Sequence, residues 1–265
     1  MNRIEKTLAQ CAKANKKVLS PYITAGDPSP DKTVTIMHAL VDAGADIIEL
    51  GIPFSDPMAE GPMIQAAMER ALAHGVTLHD VLEMVRVFRE EDDATPIVLM
   101  GYLNPIEQYG YEQFAAMAKK IGVDGTIIVD LPPEESEELA PIWLSAGISP
   151  IYLCSPTTSA TRMALIKEYA QGYLYYVSLK GVTGAASIDV DTVKSKYEAC
   201  KAFVSLPVLV GFGIKTAEMA ASVAEFADGV VVGAALIEKI ESESINSGVQ
   251  LIASMRGAMD KRVNK

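Results

Sequence analysis

Histidine, cysteine, basic residues and long apolar runs are all in short supply in this chain, and each shortage removes a class of function. There are three histidines, His38, His74 and His79, and they fall on predicted helices or at their ends. None stands at metal-ligand spacing from a cysteine or acidic partner, so no metal site is predicted. The three cysteines, Cys11, Cys154 and Cys200, are odd in number and far apart in sequence. That argues against a disulfide framework and fits a reducing compartment. The first residues, M-N-R-I-E-K-T-L-A-Q-C-A-K-A-N-K-K, contain no apolar core of a secretory signal. No apolar run reaches the length needed to span a bilayer, so a soluble cytoplasmic protein is expected. Basic residues number 23 against 34 acidic ones, a net charge of −11. This disfavours nucleic acid or an anionic membrane as the main partner. A small anion is still allowed, because a nest of backbone N–H groups can hold one against the global charge. Ser20, Ser55 and Ser178 lack the context of a nucleophile elbow. Gly211-Phe212-Gly213 is not followed by the third glycine of a dinucleotide fingerprint.

What is present is an alternation. The chain has 265 residues, 49% of them hydrophobic, enough to bury a large core. Short β-branched runs occur at 17–23, 45–50, 96–101, 125–129, 149–153, 173–177, 207–210 and 229–232. Most are continuously apolar, as parallel strands covered on both faces are. Amphipathic segments lie between them. One, over 33–43, places Val34, Met37, Leu40 and Val41 on one face; another covers 78–89. A third, over 134–146, follows Pro132-Pro133, which suits a helix start. Segments 190–203 and 216–226 complete the pattern. Eight strands, each followed by a helix, predict an α/β fold: a single (β/α)8 TIM barrel over residues 1–265. An open doubly wound sheet is the competing architecture, but it usually has fewer strands. Segment 3–14 is an extra N-terminal helix, expected to plug the barrel bottom.

In such a barrel the chemistry sits where strands end. Glu49 ends an apolar run, Ala45-Asp46-Ile47-Ile48, and a Pro/Gly-broken loop with two more carboxylates, Asp56 and Glu60, follows. A half-buried carboxyl in apolar surroundings has a raised pKa. Two carboxylates in different environments around one pocket can divide acid and base work. The plainer alternatives are a structural acid at a strand edge for Glu49 and simple solvation of the loop for Asp56 and Glu60. Late in the chain, Gly211-Phe212-Gly213 and Gly233-Ala234-Ala235 each join a strand to a helix. Bare N–H groups there form an anion site, unless the glycines merely permit tight turns. The Gly-spaced run 180–187 reads as a lid or as an ordinary loop.

The blocks P-Y-I-T-A-G-D-P (21–28), E-L-G-I-P-F-S-D-P (49–57), G-Y-L-N-P-I-E-Q-Y-G (101–110), G-V-D-G-T-I-I-V-D-L-P (122–132), G-V-T-G-A (181–185) and G-F-G-I (211–214) carry a resemblance. The chain resembles the tryptophan synthase α subunit family over nearly its whole length. The resemblance implies retro-aldol cleavage of indole-3-glycerol phosphate to indole and glyceraldehyde 3-phosphate, with no cofactor in this chain. It implies acid–base catalysis by Glu49 and stabilisation of the indole ring N–H by Glu60. Tyr22, Ala59, Ile64, Met100, Tyr102, Ile127, Leu153, Tyr175 and Phe212 would line the indole slot, and Thr183 would close the lid. Gly184, Gly213, Gly233 and Ala234 would bind phosphate. Asp56, Asn104, Pro105 and Pro132 would face a β subunit that carries pyridoxal phosphate in an α2β2 complex.

The chain also departs from the family pattern. Glu60 stands where Asp is usual, Ala234 where Ser is common, Leu179 where Arg is common, Tyr22 for Phe and Leu153 for Ile. Glu60 and Ala234 motivate a second reading: a catalytically weak regulatory subunit that binds the phosphate ligand and activates its partner. A different sugar-phosphate barrel would require metal ligands or catalytic lysines inside the barrel, and the strand ends supply neither.

Overall fold

The computed structural model describes residues 1–178, 190–211 and 213–263. Nine parallel strands are arranged in one sheet: β1 (Val18–Thr24), β2 (Ile48–Gly51), β3 (Ile97–Gly101), β4 (Gly125–Ile128), β5 (Ser149–Pro150), β6 (Leu153–Cys154), β7 (Leu174–Val177), β8 (Val208–Gly211) and β9 (Gly229–Val232). Their order is β5-β4-β3-β2-β1-β9-β8-β7-β6. The two ends of that order are halves of one strand, separated by Ile151 and Tyr152. The Ile151 N–H bonds Thr126 O at 2.9 Å and the Tyr175 N–H bonds Tyr152 O at 3.0 Å, so the halves join the two sides of the sheet. The result is the expected eight-stranded barrel. The break in the fifth strand has a local cause, because Pro150 has no N–H to donate to a ladder.

Twelve helices surround the sheet among the described residues: α1 (Arg3–Lys13), α2 (Thr33–Asp42), α3 (Pro62–Ala73), α4 (Leu78–Phe88), α5 (Leu103–Tyr109), α6 (Tyr111–Ile121), α7 (Leu139–Ala146), α8 (Ala160–Tyr169), α9 (Val190–Lys201), α10 (Ala217–Ala224), α11 (Ala234–Ser242) and α12 (Ile245–Val263). The helix expected from residue 134 begins only at Leu139. Residues Pro133–Glu135 form a 3-10 turn instead. There the Ser136 hydroxyl bonds Pro132 O at 3.1 Å, a local bond that competes with helix propagation.

α1 closes the N-terminal end of the barrel. A capping box between Asn2 and Glu5 starts it. Ile4 is fully buried in the inner cluster with Val18, Ile47, Val98, Ile127, Leu209 and Val231. Asn2 Nδ2 donates to Ser149 Oγ at 2.7 Å, fixing the helix to the start of the fifth strand. Gly125 makes this approach possible, since a Cβ there would lie 2.9 Å from Ile4 Cδ1.

A repeated clamp ties strand starts to their neighbours. Asp46 accepts from the Leu19 N–H at 2.9 Å, Asp124 from the Ile97 N–H at 2.9 Å and Asp228 from the Val208 N–H at 2.8 Å. Each carboxylate also meets a cation: Arg256 at 3.1 Å, Arg89 at 2.8 Å and Lys201 at 2.7 Å respectively. The short motifs that carry these clamps, Gly44-Ala45-Asp46, Gly122-Val123-Asp124 and Phe226-Ala227-Asp228, are an internal repeat of function that simple comparison of segments does not display.

Candidate active site

Strand alternation puts Ile48 and Leu50 of β2 against the surrounding helices and turns Ile47 and Glu49 into the barrel. Glu49 therefore sits one layer above the apolar plug, in register with Tyr22 of β1 and Val98 of β3. It is fully buried. Its Oε1 accepts from Tyr173 Oη at 2.7 Å and from Ser20 Oγ at 3.3 Å. Its Oε2 is buried with no hydrogen-bond partner among the described residues. Burial pushes the Glu49 carboxyl up to about 8, against the two hydroxyl donors that favour its charged form. The group is thus an acid at neutral pH, as required of a proton donor.

Glu60 is half-buried in the loop after β2, on the same cavity. Burial raises its carboxyl to about 7, and a hydrogen bond from Tyr102 opposes that rise. Tyr102 organises this loop: its Oη accepts from the Ala59 N–H at 3.0 Å, and its ring stacks on Phe54 with centroids 5.0 Å apart. Gln65 Nε2 holds the loop from the other side through Glu60 O at 2.9 Å and Pro57 O at 3.3 Å. The two carboxyls thus face one cavity from a rigid strand and from a pinned loop.

The cavity has a volume of about 850 Å³ and opens at the C-terminal ends of the strands. Tyr22, Ala59, Ile64, Met100, Leu153 and Tyr175 all line it. Two glycines make room for its aromatic walls. A Cβ at Gly51 would lie 2.1 Å from Tyr22 Oη, and one at Gly211 would lie 2.1 Å from Tyr175 Oη. Gly213, Gly233 and Ala234 stand on the same cavity. Gly233 precedes α11 with no side-chain cap, so the first N–H groups of that helix are open to an anion.

Other expected residues fall elsewhere. Ile127 belongs to the inner apolar cluster below Glu49, and Tyr102 lies behind the loop; neither is among the residues lining the cavity. Asp56 is exposed at the loop tip, where it accepts from Ser55 Oγ at 2.6 Å. Asn104 is exposed and Pro105 half-buried on α5, while Pro132 lines the cavity rim. Thr183, Gly184 and Phe212 lie outside the described residues, as does Leu179. No cluster of metal ligands occurs among the described residues.

Two contributors were not anticipated as site residues: Tyr173, and Ser20 as a partner of Glu49. The available signal was a period of two, Ser20-x-Tyr22 and Tyr173-x-Tyr175, which places polar-tipped side chains on one inward face. The cysteines also came closer than their spacing suggested. All three are free and buried, and Cys154 Sγ lies 3.0 Å from Cys200 Sγ.

The family model for the tryptophan synthase alpha chain matches residues 8–264. The tryptophan synthase alpha chain of Legionella pneumophila (strain Lens) is 60% identical over 266 residues, covering 98% of both chains. That of Laribacter hongkongensis is 54% identical over 263 residues, covering 98% of this chain and all of the other. Among solved structures, the tryptophan synthase subunit alpha from Legionella pneumophila str. Paris superposes with a TM-score of 0.94 at 58% identity, covering 98% of this chain and 99% of that one. Tryptophan synthase from M. tuberculosis in its aminoacrylate-bound form gives 0.88 at 30% identity, covering 98% of this chain and 100% of that one.

Proposed function

The chain belongs to the tryptophan synthase alpha chain family, and on that premise we propose how its own residues cleave indole-3-glycerol phosphate. The reaction is a carbon–carbon lyase step that yields indole and glyceraldehyde 3-phosphate. Glu49, protonated at neutral pH, delivers its proton to indole C3. The ring becomes an iminium whose N–H is acidic, and the Glu60 carboxylate accepts a hydrogen bond from it. The ionised Glu49 then takes the proton of the glycerol hydroxyl next to the breaking bond. As that C–H-bearing carbon becomes an aldehyde, the C–C bonding electrons return to the indole ring. Glu49 ends as it began, so one carboxyl serves as acid and then base.

The remaining residues position the substrate. Tyr22, Ile64, Met100, Leu153 and Tyr175 hold the indole plane. The N–H groups of Gly213, Gly233 and Ala234 hold the phosphate, joined by Gly184, while Phe212 lines the indole slot and Thr183 hydrogen-bonds the loop carboxylate. The single observation that carries this reading is a fully buried glutamic acid with one oxygen unpartnered among the described residues, on the wall of a large cavity that also reaches an uncapped helix start. The regulatory reading is not favoured. The extra methylene of Glu60 is met by Tyr102, which hydrogen-bonds its carboxyl, and the backbone phosphate donors are kept without the serine hydroxyl.

The β partner is the expected recipient of indole. Asp56 and Asn104, both exposed, with Pro105 and Pro132, form the surface we assign to it, in an α2β2 complex whose pyridoxal phosphate belongs to the β chain. The test is direct: purified chain is incubated with indole-3-glycerol phosphate and both products are measured. Equimolar indole and glyceraldehyde 3-phosphate are expected, and Glu60→Asp is expected to change the rate less than tenfold. A gain of on the order of 10², the penalty of a misplaced group, would instead mean that Glu60 is misplaced.

A further inference from the structure

Resting on the assignment of Glu49 as proton carrier, we propose that Ser20 is a positioning residue. With Tyr173 it immobilises one oxygen of the Glu49 carboxyl, so that the other oxygen carries the proton. Ser20 is fully buried on the inward face of β1, two residues before Tyr22. Its hydroxyl, from β1, and that of Tyr173, from the residue just before β7, both donate to Oε1. Among the described residues Oε2 has no partner although it is buried, and Glu49 lines the cavity. A buried polar atom left unpaired is unfavourable and is explained where a ligand group will meet it.

The two donors also break a symmetry. The last torsion of a glutamate is roughly two-fold, so a free carboxyl would exchange its oxygens. With Oε1 held, the proton leaves from Oε2 to indole C3, and the charge left on the carboxylate is stabilised at Oε1. Oε2 then accepts the glycerol hydroxyl proton as the C–C bond breaks, and no proton is gained or lost overall.

A pH readout separates this role from simple packing. The polar groups facing Glu49 among the described residues are Ser20 and Tyr22 from β1 and Tyr173 and Tyr175 at β7, and Glu60 of the loop lines the same cavity. The β3 neighbour in register, Val98, is apolar. Burial raises the Glu49 carboxyl while the Tyr173 and Ser20 hydroxyls lower it. Glu49 must begin protonated, so activity falls as pH rises through its titration. Loss of the Ser20 donor raises that titration further and moves the alkaline limb to higher pH.

The experiment measures kcat for indole release against pH, for the full chain and for Ser20→Ala, Ser20→Cys and Ser20→Thr. A carbon-13 titration of the Glu49 carboxyl in the ligand-free proteins accompanies it. Cysteine keeps the volume with a weak donor; threonine keeps the hydroxyl. The alanine and cysteine variants are expected to shift the limb upward by on the order of one pH unit, a tenfold change in proton affinity, and threonine to restore it. An unmoved limb in the alanine and cysteine variants, a lowered rate without a shift, or an equal shift in the threonine variant overturns the proposal. The underlying reading fails separately: turnover that survives Glu49→Gln removes Glu49 as the carrier. An inactive Glu49→Gln beside an unmoved Ser20→Ala limb removes only Ser20.

Discussion

Glu49 is expensive to keep where it is. Its folded-state titration lies near 8 against a reference of 4.5, so the unfolded chain releases its proton first as pH rises. The buried acid is therefore neutral in its effect below about pH 4.5, erodes stability between there and pH 8, and carries its full penalty above. That difference corresponds to roughly 4–5 kcal/mol. Glu49→Gln should remove that penalty: the variant is expected to be more stable than the parent at pH 8–9 and similar near pH 4, by urea unfolding at both pH values. Equal stability at both would mean that Glu49 is less desolvated than its surroundings indicate. Residue-scale chemistry was legible in part. Glu49 announced itself as a carboxylate ending an apolar strand before a Pro/Gly loop. Tyr173 and Ser20 did not, because an inward direction follows from barrel closure and not from the residue types.

The strands and the five amphipathic segments between them were legible, and most of those bounds fall within two or three residues of the observed ones; α5, α6, α8 and α12 had no segment of their own in that reading. The displaced bounds have local causes. Pro150 divides the fifth strand and Ser136 delays α7, both through hydrogen bonds that hydropathy does not register. The aspartate clamps were invisible for a related reason, since a carboxylate before a strand says nothing about which N–H it meets. They should differ in strength. The Asp124 side chain is 3% exposed and Arg89 8%, so Asp124→Ala leaves a buried cation unpaired and should cost about 3–5 kcal/mol. The Asp228 side chain is 35% exposed, and solvent screens its pair. Asp228→Ala should cost closer to 1 kcal/mol. Chemical denaturation of the two variants checks the ranking, and the reverse order would contradict it.

Across the whole molecule the barrel separates two ends. α1 and the clamps close the N-terminal end, while the cavity, the acidic loop and the start of α11 share the other. That polarity was foreseeable once eight strand–helix units were recognised. The composition of the cavity was foreseeable only in part: Ile127 went to the inner core and Tyr102 to the back of the loop, a difference of depth that a linear sequence does not encode. The exposed loop tip around Asp56 lies beside this mouth, which is where an indole recipient would dock. Adding a β subunit should raise the rate of indole release. Asp56→Ala should weaken that activation while the isolated chain unfolds at an unchanged denaturant concentration. Undiminished activation would move the docking surface elsewhere.

On the mechanism proposed above, one buried carboxyl shuttles the proton of carbon–carbon cleavage. The most direct measurement is single-turnover indole release from indole-3-glycerol phosphate by the parent chain and by Glu49→Gln, each confirmed folded by circular dichroism. Loss of a positioned acid–base group costs on the order of 10²–10⁴ in rate. A loss at least that large is expected, with substrate still bound by Glu49→Gln. Release at the parent rate by the folded variant would contradict it.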